Sequence, residues 1–191
     1  KMKNANPYTM KHFYTQQGVT LIELMVSVSI AIALAASVAP SIQATISQNA
    51  IAAQMNQMSA LAQFARGYAI NNQSETTFCA SADYLACSND WNQAKIVFVD
   101  INSDLQRNDN EPLLASIGIE KSSHDVQGPL VSIRFLANGG ANNNADILFC
   151  SYETSSNRAL IISLQGRVKT SQDSDNNDVH EDRNGDALNC S

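Results

Sequence analysis

The sequence predicts an α+β fold, a long N-terminal α-helix packed on an antiparallel β-sheet head. Three observations carry it. Residues 18–40 form an apolar run whose one charge is Glu23, and residues 24–65 carry no charge at all. Beyond Pro40, Ile42, Ile46, Met55, Met58, Leu61, Ala62, Ala65 and Ala69 recur at largely helical spacing. After residue 73 the chain changes to short β-branched and aromatic runs separated by polar turns, with no helix between them, which is the pattern of an antiparallel head.

In chain order, residues 1–18 are polar and basic, with Lys1, Lys3 and Lys11. They are expected to be a leader held inside the cell by its positive charge. A helix is expected over residues 19–72, with 19–42 as its apolar part and a bend at Pro40, which lacks a backbone donor. Such a helix is about 80 Å long at about 1.5 Å per residue. The remaining head is too small to bury it, so the first half needs lipid or the equivalent helices of other subunits. A spanning helix takes about 20 apolar residues, close to what this stretch offers. The second half, with Leu61, Phe64, Ala65 and Tyr68, is expected to pack on the head. Strands are expected at 76–79, 95–100, 112–119, 130–136, 145–150 and 159–164, with a turn-rich connection at 137–144. The head domain takes in residues 73–191, and its tail, 170–189, is acidic.

Glu23 is the odd residue of the apolar run. A carboxylate at the mouth of such a segment is costly unless paired, so it reads as functional. A chain cut after Gly18 would place the α-amino group of Val19 four residues, one helical turn, from Glu23. The residues Gly18-Val19-Thr20-Leu21-Ile22-Glu23-Leu24-Met25-Val26 resemble the type IV prepilin cleavage and methylation motif, with Val19 where phenylalanine is usual. The resemblance implies removal of the leader by prepilin peptidase between Gly18 and Val19, N-methylation of Val19, and a role for Glu23 in assembly. The apolar helix would rest in the bacterial inner membrane as a single pass, with the head in the periplasm, before entering a pilus or pseudopilus. Glu23 would then satisfy an N-terminal amine, its own or a neighbouring subunit's.

The formal charge is −6, and removing Lys1, Lys3 and Lys11 leaves nine of the 12 Lys and Arg against 18 acids. This balance excludes a chain that binds nucleic acid with its whole surface. All four cysteines, Cys79, Cys87, Cys150 and Cys190, follow the apolar segment, which fits two disulfides in an oxidising compartment. Four cysteines allow three connectivities. The short interval from Cys79 to Cys87 suits a local bond, and Cys190 to Cys150 is the simplest tether for the tail.

The head bears a narrower resemblance. Trp91-Asn92-Gln93-Ala94-Lys95-Ile96-Val97-Phe98-Val99-Asp100, then Glu111-Pro112-Leu113-Leu114, and late in the chain Leu164-Gln165-Gly166-Arg167-Val168-Lys169, are similar to the GspH/FimT family of minor pilins and pseudopilins. The family usually has a glycine where this chain has Gln93 or Ala94. The resemblance implies the type IV pilin-like fold and, as partners, other pilin or pseudopilin subunits. In FimT-like proteins a Gly-Arg-x-Arg pattern is associated with DNA binding, which points to Arg167 and Lys169. Lysine at the last position keeps the charge and loses the planar fork. Six acids within the next twenty residues oppose DNA capture, and a solvated strand-end turn is the plainer reading. The implied function is a minor pilin of a type IV pilus. The alternatives are a DNA receptor of a natural-transformation pilus and a type II secretion pseudopilin.

Catalysis has no support. Ser123-His124-Asp125 is contiguous, whereas triad members meet from separated positions. No cofactor and no metal site is assigned. Asp100-x-Asn102-x-Asp104, with Glu111 twelfth in the series, has the ligand spacing of an EF-hand loop. Leu105 stands where that loop needs glycine, so a solvated turn between strands is expected.

Overall fold

The computed structural model describes residues 18–119, 124–151 and 154–190. The leader expected over residues 1–17 lies outside them. The chain divides into two compact units, Lys1–Ile42 and Gln43–Ser191.

Helix α1 runs from Leu21–Asn72. It begins two residues later than expected because Thr20 caps it: the Thr20 hydroxyl accepts the Glu23 amide at 3.3 Å. The serines of the apolar run return their hydroxyls to their own helix, Ser29 to the Met25 carbonyl at 2.7 Å and Ser27 to that of Glu23. Both serine hydroxyls are thereby satisfied within the helix. In this first unit the apolar side chains from Leu21 to Leu34 are exposed around the helix. Among the described residues no helix is long and apolar enough to cross a membrane. The side chain of Pro40, where a bend was expected, lies outside the described residues. At its other end α1 closes with Gln73 at φ 51° and the Ser74 amide bonded to the Ala69 carbonyl at 3.2 Å. A left-handed residue followed by this bond is a Schellman stop.

Among the described residues the second unit holds eight strands: β1 (Thr76–Ser81), β2 (Ala94–Phe98), β3 (Leu113–Ile117), β4 (Asp125–Gln127), β5 (Ile133–Phe135), β6 (Ala145–Cys150), β7 (Arg158–Ile162) and β8 (Val168–Thr170). They form two antiparallel four-stranded sheets, ordered β3-β2-β1-β5 and β4-β6-β7-β8. The sequence pattern located six of these strands. It missed β4 and β8, which are three residues long and carry too few apolar residues to show a period.

Ile51, Met55, Met58, Ala62, Ala65 and Ala69 of α1 share one core with Phe78, Val97, Phe135, Ile147, Phe149, Leu160 and Ile162 from both sheets. The intervals of three and four residues put them on one helix face. Phe64 is a correction: it is exposed, off this stripe, with its ring centroid 6.4 Å from that of Tyr68. Trp91 joins the sheets. Its ring is fully buried and packs edge-on to Phe78, and its Nε1 donates to the Pro129 carbonyl at 2.9 Å. Asn92 next to it donates to Asp125 at 2.6 Å and accepts the Val126 amide at 3.0 Å. The Trp-Asn pair is therefore a structural joint between β1 and β4.

Two disulfides close the head, Cys79–Cys87 and Cys150–Cys190. The first sits with Ile96 and Phe98 in a small apolar cluster of its own. The second ties down the acidic tail.

Candidate functional site

Gly18, Val19 and Thr20 are all exposed, and nothing lies within 4 Å of the Cβ position of Gly18. Three residues on, Glu23 occupies the third position of α1, exposed, in the helix whose first turn Thr20 caps. The Thr-x-x-Glu spacing is that of a capping box, a signal legible in the sequence. An acid in the first turn also meets the positive end of the helix dipole. The apolar side chains that follow are uncovered in this chain.

Arg167 and Lys169 lie on either side of Val168 and are exposed. Arg167 immediately precedes β8 and Lys169 lies within it, and both line one groove. The turn that delivers them is tightly specified. The Gly166 amide donates to the Ser163 carbonyl at 2.7 Å, and the Ser163 amide to the Arg167 carbonyl at 3.0 Å. Gly166 has φ 71°, and a Cβ on it would lie 2.0 Å from the Gly139 carbonyl oxygen. Glycine is therefore required here by packing, whatever Arg167 does. The groove, of about 400 Å³, also takes in Glu181, Asp182 and Arg183. Arg183 is engaged by the Asp146 carboxylate. The groove is thus mixed in sign, with acids from the tail facing the two exposed cations.

The loop after β2 is the expected solvated turn over most of its length, but its two ends, Asp100 and Glu111, are only 3% exposed. Both Glu111 oxygens point back into it, accepting the amides of Ile101 at 2.8 Å and Asn108 at 2.9 Å. Asp104 stays exposed, and backbone donation from Gln106 holds its carboxyl below the usual range.

Residues 54–166 match the family model of the type II transport protein GspH, and residues 14–39 match the prokaryotic N-terminal methylation motif. The chain belongs to the GspH family. The GspH match lies within the second compact unit, and the methylation match takes in the Gly18–Glu23 motif at the start of α1. Among solved structures, the type IV minor pilin FimU of Pseudomonas aeruginosa is similar in two crystal forms. One is 19% identical, covers 65% of this chain and 90% of that one, and gives a TM-score of 0.54. The other is also 19% identical, covers 62% and 90%, and gives 0.50. At this identity the likeness concerns the fold, the α+β minor-pilin fold. No curated protein matches the chain in sequence. As a GspH family member with a methylation motif, the chain is a structural, pilin-type subunit that assembles with others of its kind.

Proposed function

We propose that this GspH family member is a minor pilin of a type IV pilus. Prepilin peptidase removes the leader after Gly18, Val19 becomes the methylated N-terminus, and the apolar half of α1 rests in the inner membrane with the head in the periplasm. Extraction into a filament then exchanges lipid for the helices of neighbouring subunits. The observation that carries the reading is the pairing of an uncovered apolar helix with one acid, Glu23, in its first turn. An exposed apolar surface of this extent calls for a partner, and a lone carboxylate within it calls for a cation. The N-terminal amine of an adjacent subunit is a cation that arrives only on assembly. A buried ion pair of this kind fixes register, and removing one partner costs about 3–5 kcal/mol.

Replacing Glu23 by Val tests the proposal. The variant should be processed and reach the membrane fraction while being lost from sheared pili. Wild-type amounts of it in filaments would refute the assembly role. Mass spectrometry of the mature wild-type chain should find methylated Val19 at its start.

A DNA-receptor reading has one observation in its favour, the exposure of Arg167 and Lys169 beside one groove. The acids sharing their groove weigh against it. Salt-sensitive retardation of DNA, lost in Arg167→Ala/Lys169→Ala, would support it, and no retardation at low salt would end it. A pseudopilin of type II secretion is favoured by the description of the matching family. Deletion of the gene separates the two systems: loss of surface pili supports the pilus, loss of exoprotein secretion the pseudopilus.

A further inference from the structure

We propose that the β2–β3 loop, residues 100–111, is a calcium site of the head. Three side chains converge there from positions 1, 5 and 12 of the loop. One carboxylate oxygen each from Asp100, Asp104 and Glu111 lie within 4.8 Å of one another. That spacing lets the three approach one ion at close to the calcium–oxygen distance of about 2.3–2.6 Å.

The independent observation is an orphaned atom. Asp100 is 3% exposed, and its Oδ1 is buried without a hydrogen-bond partner. Its other oxygen is occupied, accepting from the Thr77 hydroxyl at 3.3 Å and the Leu105 amide at 3.2 Å. A buried polar atom without a partner is expensive, and an ionised one more so. Buried carboxylates are retained when they are paired or hold a metal. The ion pairs seen among the described residues, Arg134–Glu75 and Arg183–Asp146, do not involve Asp100. A cation at the convergence of the three carboxylates supplies the missing partner for Oδ1 and offsets the charge.

Leu105 stands where an EF-hand loop has glycine. Leu105 adopts φ 63°, the left-handed conformation that the sixth position of such a loop requires. Leucine is disfavoured in this conformation, and the loop takes the turn regardless. Ligands that are all oxygen, with a glutamate closing the loop at its twelfth position, suit calcium. Magnesium is smaller, demands near-octahedral geometry and keeps several waters. The flanking elements are strands, so the site belongs to the loop and not to a helix pair.

A second acidic trio, Asp173, Asp175 and Glu181, lies in the tail, also with a buried unpartnered oxygen on Glu181. It provides the control. The full-length chain in a non-ionic detergent, stripped with chelator, is titrated calorimetrically with calcium chloride. Asp104→Asn removes an exposed ligand without disturbing the core, and Glu111→Gln removes a buried one. Each should weaken the assigned site at least about tenfold, the minimum seen even for partners outside a metal's ligand shell. Glu181→Gln should leave that site intact. The assignment is overturned by absence of calcium binding to the folded wild type. It is equally overturned by unchanged affinity and stoichiometry in Asp104→Asn, by binding lost only in Glu181→Gln, or by magnesium competing on equal terms.

Discussion

The Nε of Arg66 donates to the carbonyl oxygen of Gly139 at 2.7 Å. Arg66 is the first charge after the uncharged run of α1, and Gly139 stands in the turn-rich stretch between β5 and β6. The guanidinium also reaches the Gln165 carbonyl at 3.4 Å, and the Ala141 amide donates to the Leu164 carbonyl at 2.9 Å. One helix side chain therefore clamps two turns, including the one that presents Arg167.

Gly166→Ala should lower stability by at least about 2 kcal/mol, since a left-handed φ costs an L-residue about 1–2 kcal/mol before any clash is counted. Arg66→Ala should cost about 1–3 kcal/mol, the range for charged hydrogen bonds. Urea unfolding measures both. A loss under about 0.5 kcal/mol in Gly166→Ala, the range of ordinary surface changes, would show the turn to be unclamped.

Thr20→Ala removes the acceptor for the Glu23 amide. The loss of an N-cap costs about 1 kcal/mol, so the first turn of α1 should fray. Amide exchange at Glu23 should rise, while leader removal after Gly18 should be unaffected. Slowed processing in Thr20→Ala would place the cap in the peptidase's recognition instead.

The Cys150–Cys190 bond closes 40 residues. By chain entropy it stabilises the head by about 4 kcal/mol. Cys190→Ser should shift the unfolding midpoint down and expose the polar tail to proteolysis, read as cleavage between residues 171 and 190. A tail that stays protected would mean its local turns suffice to hold it.

His180 has its imidazole pushed below the ordinary value, first by burial and next by the Arg158 guanidinium. Its Nδ1 lies 3.0 Å from the Ser171 hydroxyl oxygen. The folded chain keeps His180 neutral where the unfolded chain protonates, near pH 6.5. Stability should therefore fall as pH drops below about 6.5, because the unfolded state binds more protons. Asp83, Asp90 and Asp173 are held below the usual carboxylate range, so their contribution is lost only at more acid pH. His180→Gln should flatten the curve between about pH 6.5 and 5, where histidine and not carboxylate titrates. A curve unchanged by the substitution would place the acid sensitivity elsewhere.

Residue order alone settled the long helix, the antiparallel head and the Gly18–Glu23 motif. These are local signals: a period of three and four residues, β-branched runs between turns, one acid at a fixed distance from a glycine. The six strands with apolar or β-branched runs were legible for the same reason. Tertiary structure decided what depends on residues far apart in the chain. It split the strands into two sheets, because which strand pairs with which is set by packing on α1 and not by local pattern. It turned Trp91 and Asn92 into a joint, and Gly166 from a sign of DNA binding into a steric necessity against Gly139. It buried Asp100 and Glu111 in a loop whose composition reads as solvated, since burial depends on what Thr77 and the adjoining strands place around it. The sequence supplies the oxygens at the right intervals; only the fold withdraws water from one of them.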